Sequence, residues 1–198
     1  MFLDTSGFKK LIKEAWKRSR LYLSKKGGSL LITDGTWCLL SDMDMIPNKI
    51  KGAIIELTGE LPQDGESFRS GKEGNQCSFT QTLPWEAMRS LNDTAEEAIR
   101  AEQTQILIDE GYTISRILKY RTDSFCIQKQ FTDLITCEEL IEGKETPPQG
   151  PYTTGKELKG VWWTNLTGVF LVYEFQNNKG WCKDLLDYCT THEVGIKK

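Results

Sequence analysis

Apolar side chains recur three and four positions apart through Phe8, Leu11, Ile12, Ala15 and Trp16, the period that lays one stripe along an α-helix. The pattern predicts a helix over residues 7–23, with Asp4, Thr5 and Ser6 as candidate N-caps and Gly27-Gly28 as its stop. The apolar runs then shorten. Residues 29–33 and 36–40 flank Asp34-Gly35, a strong hairpin signal. Residues 51–58 fit either a third strand or a short helix, and the Gly-, Ser- and acid-rich stretch 62–76 reads as an exposed loop.

Further on, Pro84 suits the first turn of a helix over 84–91, and a second helical piece is expected after Asn92. Residues 104–109, 112–120 and 124–131 read as strands, 133–141 as a short helix, 142–159 as a loop, and 160–164 and 168–175 as two last strands. Tight turns join most of these strands, which only antiparallel partners permit. The predicted fold is α+β, a mostly antiparallel twisted sheet with two or three helices packed on one side. Residues 1–176 are expected to form a single domain, or two halves meeting near residue 80, followed by a partly helical tail over 177–198.

The length of 198 residues is enough for one ordinary domain with its own core. With 38% apolar and 27% charged residues the composition is globular, and no apolar run is long enough for a membrane-spanning helix. The net charge of −3 argues against a molecule that is electropositive overall. It hides an asymmetry. Residues 8–26 carry eight basic side chains against Glu14 alone, whereas residues 56–110 carry twelve acids against four bases. The six cysteines are irregularly spaced and no basic leader precedes an apolar stretch, so they are expected to be reduced, mostly buried, and in a cytosolic protein.

Several chemical motifs fail on inspection. Residues 150–156 match the first seven positions of a phosphate-binding loop, but Glu157 stands where a Ser or Thr must hold magnesium, and prolines surround the segment. Cys182, Cys189 and His192 lack zinc-ligand spacing. Asp42 and Asp44 lack the glycine and distal Glu of a calcium loop. His192 is the only histidine, so a nucleophile–histidine site would depend on the end of the chain. No catalytic site, cofactor or metal is expected.

The remaining candidates are binding residues. Lys9, Lys13, Lys17 and Arg20 mark a basic helix face, and the adjacent Trp162 and Trp163 on one strand must point to opposite sides. If one side of the sheet is solvated, one of these tryptophans can anchor a partner. The sequence thus points to a small non-enzymatic interaction protein with a protein partner and no membrane association. In composition it resembles small accessory proteins of phages or mobile elements, among them inhibitors of host defence that block a protein or nucleic-acid-binding surface. A second reading comes from the order helix, hairpin, strand, helix, strands. This loosely resembles one domain of a DNA sliding clamp, which implies a nucleic-acid-associated module. A third is an enzyme whose site is not visible in the sequence.

Overall fold

The computed structural model describes all residues except 94–97, 122, 139, 141, 154–159, 175–179, 193–194 and 196–198. The first helix, α1, spans Thr5–Lys17, and Asp4 caps it by accepting the Gly7 N–H at 2.6 Å. It ends six residues short of the predicted helix. Ser19 takes a left-handed conformation (φ 53°), and the chain turns into β1, Leu21–Lys26. Gly27-Gly28, both at positive φ, form the two-residue hairpin turn into β2 (Ser29–Thr33) and do not cap a helix. The expected hairpin across Asp34-Gly35 joins β2 to β3, Trp37–Asp42.

A 3₁₀ turn at Met43–Met45 leads into α2, Asn48–Thr58, so the ambiguous segment is helical. The stretch expected as a loop contains two short strands, β4 (Ser67–Gly71) and β5 (Gly74–Gln76). Next come α3 (Trp85–Asp93), β6 (Ile99–Arg100), β7 (Glu102–Asp109), β8 (Ile114–Tyr120) and β9 (Asp123–Gln128). The helical piece expected after Asn92 falls partly outside the described residues, and its later part is β6. The short helix lies earlier than the pattern places it, as α4, Lys129–Asp133. The chain closes with β10 (Gln149–Thr153), β11 (Gly160–Asn165), β12 (Gly168–Tyr173) and α5 (Gly180–Thr191).

The fold is α+β. Nine strands form one wholly antiparallel sheet in the order β5-β4-β1-β2-β3-β12-β11-β10-β6, and β7-β8-β9 form a second. Each half of the chain contributes one contiguous block to the large sheet. The two blocks are joined where β3 pairs with β12, Leu39 opposite Phe170 and Cys38 opposite Leu171.

Alternation along these strands sorts their side chains onto two faces. Leu21, Leu23, Leu30, Ile32, Trp37, Leu39, Phe170 and Val172 face the side covered by α1 and α2. Phe8, Ile12 and Ala15 of α1 pack there with Ile50 and Ile54 of α2. The small sheet covers the rest of this side through Leu118, Phe125 and Ile127. Its other face, with Ile108, Ile117 and Cys126, packs against Leu185, Leu186 and Cys189 of α5. The segment expected as a tail therefore supplies a packed helix. On the opposite face of the large sheet, Leu31, Cys38, Leu40, Trp162, Val169 and Leu171 lie beneath Met88 and Leu91 of α3. Two helices share one side, as the pattern implies, and a third covers the other.

Candidate functional site

The solvent side of α1 is a row of cations because its core side uses Phe8, Ile12 and Ala15. At 3.6 residues per turn, Lys9, Lys13 and Lys17 then stand above one another away from the sheet. All three are exposed. Lys17 pairs with Glu14 at 2.6 Å, and this hydrogen bond holds the Glu14 carboxyl below its usual range. Lys9, Lys10 and Lys13 make no ion pair among the described residues.

Helix α2 packs beside α1 and completes a groove of about 330 Å³. Lys9, Lys10 and Lys13 line one wall, and Ala53, Glu56 and Leu57 the other. Ala53 and Leu57 are half-buried in that wall. The face therefore combines unpaired lysines with apolar surface and two carboxylates, Glu14 and Glu56. Arg20 is not part of it. It lies beyond the end of α1, with its guanidinium 3.4 Å from where a Cβ on Gly35 would stand, beside the β2–β3 turn.

Neither tryptophan is exposed. Trp162 and Trp163 do point to opposite faces of β11, but they are 0% and 2% exposed. Trp163 packs near Phe170 with ring centroids 6.4 Å apart, in the core under α1 and the small sheet. Trp162 packs near Tyr152 at 5.9 Å, in the core under α3. Both faces of the sheet are covered, so neither ring offers a partner an exposed anchor.

The motifs set aside on sequence grounds have ordinary surroundings where they are described. Gly150 and Pro151 lie in β10, joined by a cis peptide bond, and residues 154–159 are outside the described residues. Cys189 is buried on the small sheet, while His192 is exposed and stacks on Tyr188 with ring centroids 4.0 Å apart. The Cys182 side chain is outside the described residues. Asp42 accepts a hydrogen bond from the Ser29 hydroxyl at 3.2 Å.

A second feature went unread in the sequence. On the face opposite α1, a cleft of about 400 Å³ opens between α3, the ends of β2 and β3, and the β11–β12 turn. Leu40, Met88, Val169 and the exposed Leu166 are its apolar lining, and Ser29, Asp42, Arg89 and Thr167 are its polar side chains open to solvent. The Arg89 guanidinium lies 5.5 Å from the ring centre of Trp85, one helical turn earlier. Trp85 is itself tethered, because its indole N–H donates to the Ser24 hydroxyl at 3.0 Å, and Ser24 shares a hydrogen bond with Ser67 at 2.6 Å. The four-residue spacing of Trp85 and Arg89 was a legible signal for a stacked pair. Nothing local to it points to Ser24.

No protein-family model, curated protein or solved structure matches this chain. Among the described residues no helix is long and apolar enough to cross a membrane.

Proposed function

We propose that this protein works as a binding module whose α1–α2 face docks on an acidic surface of a protein partner. The observation that carries the reading is the trio Lys9, Lys10 and Lys13, exposed and without an ion pair among the described residues, along a groove walled by α2. Ala53 and Leu57 give the face an apolar component that a protein surface can cover. The half-buried Leu57 beside the lysines has no apolar surface to meet on a phosphate backbone, which favours a protein over a nucleic acid. By covering its partner's own contact surface, such a module acts as an inhibitor, in the manner of the phage and mobile-element accessory proteins its composition resembles.

The experiment compares the native protein with a Lys9→Gln, Lys10→Gln, Lys13→Gln variant in chemical crosslinking and mass spectrometry within its host. Surface substitutions of this kind change stability by no more than about 0.5 kcal/mol, so both proteins are folded. A partner crosslinked through α1 and α2, and lost in the variant, supports the reading. An Arg20→Gln protein, altered off this face, retains that partner. Gel-shift titration with duplex DNA supplies the opposing outcome. Micromolar binding at physiological salt, weakening with salt at a slope of about −0.9 per neutralised phosphate and lost in the triple variant, transfers the face to nucleic acid.

A further inference from the structure

We propose that the cleft beneath α3 is a second binding site, one that captures the free C-terminal carboxylate of a peptide ending in an apolar residue. Arg89 is the recognition group. Its guanidinium carbon lies 5.5 Å from the centre of the Trp85 ring and the side chain makes no ion pair among the described residues, so its N–H groups can meet the two oxygens of a carboxylate. The hydrogen bond from the indole to Ser24 fixes the ring over which the guanidinium lies.

The rest of the cleft selects among anions. Leu166 on the β11–β12 turn, 75% exposed at the edge of the cleft, offers apolar surface on the same rim as the cation, which suits a carboxylate carrying an aliphatic side chain and does not suit a bare inorganic ion, while Leu40, Met88 and Val169 form a floor that is closed to solvent. Asp42 adds a negative charge on the same rim, where it disfavours a doubly charged phosphate and can accept an N–H from the peptide backbone. A volume of about 400 Å³ lies within the usual range for ligand pockets and exceeds one side chain, so the end of a peptide fits better than a free amino acid.

The test is calorimetric titration of the full chain with an acetylated tetrapeptide ending in leucine, as the free acid and as the C-terminal amide. The free acid binds saturably and the amide at least about tenfold more weakly, the value of a hydrogen-bonded charge. Arg89→Gln abolishes the difference between acid and amide, Arg89→Lys retains part of it because the charge remains without the fork, and Leu166→Ser weakens both peptides. Equal binding of acid and amide to the native protein overturns the proposal, as does an absence of saturable binding at millimolar peptide. So does an Arg89→Gln protein that still prefers the acid, or inorganic phosphate binding more tightly than the peptide. The acid–amide comparison uses the native chain alone, so it decides the matter even if an Arg89 variant folds poorly.

Discussion

Trp85 on α3 donates its indole N–H to the hydroxyl of Ser24 on β1, 61 positions earlier in the chain, at 3.0 Å. This bond ties the helix to the sheet face it covers. Replacing Ser24 with Ala leaves a partly buried donor without its partner and is expected to cost about 1–2 kcal/mol in urea unfolding. Adding Trp85→Phe to that variant costs less than the two single losses summed, because the orphaned donor disappears with the indole.

Phe170 is the meeting point of the main core. Its ring has Phe8, Trp163, Trp37 and Phe131 as aromatic neighbours with centroids 6.4–6.5 Å away. Phe170→Ala is expected to destabilise the protein by about 3–5 kcal/mol, measured by chemical denaturation, because α1, α4 and two strands all border the vacated space.

Gly71 sits against the left-handed Ser19. A Cβ placed on it would lie 2.6 Å from the Ser19 Cα, which is backbone and cannot rotate away. Gly71→Ala therefore lowers the melting temperature by several degrees. Ser19→Gly, which relaxes the positive φ and removes the crowding side chain, raises it or leaves it unchanged.

Cys38 is buried under α3, and burial pushes its thiol from 9.0 up to about 12. In the unfolded chain the same thiol ionises at its ordinary value. Stability from this group is thus fully present below pH 9 and is lost as pH rises toward 12, by at most about 1.4 kcal/mol per pH unit. Cys38→Ala should show a shallower decline over that window in stability measured against pH. Site-resolved alkylation of the native protein near pH 8 modifies the exposed Cys77 and Cys137 quickly, while the buried Cys38, Cys126 and Cys189 react only after unfolding.

Where one local pattern admitted one structure, the sequence could be read through. Asp34-Gly35 between two apolar runs is a hairpin, and the apolar stripe with its Asp4 cap is a helix. Where one signal served two structures, local reading failed. Gly27-Gly28 suits a helix stop and a hairpin turn equally, and the pairing of Tyr22 with Thr33 and of Leu23 with Ile32 decides it. Strands β4 and β5 are short, polar and near one edge of the sheet, so they carry no alternation to see. The basic row on α1 is legible because a helix repeats locally, but the helix stops at Lys17 and leaves Arg20 off that row. The burial of Trp162 depends on α3 reaching across from another part of the chain, and the tether of Arg89 depends on Ser24. Neither dependence is written near those residues.

The seam between β3 and β12 has a consequence for the life of the nascent chain. Trp37–Asp42 is made first, yet the strand that closes its free edge, Gly168–Tyr173, follows only after the whole intervening chain has been synthesised. Until then the strand bearing Trp37, Cys38, Leu39 and Leu40 is an open apolar edge, able to template pairing with any other extended chain. Truncation before β12 should therefore yield insoluble aggregate, and co-translational shielding of that edge governs how much native protein a cell recovers.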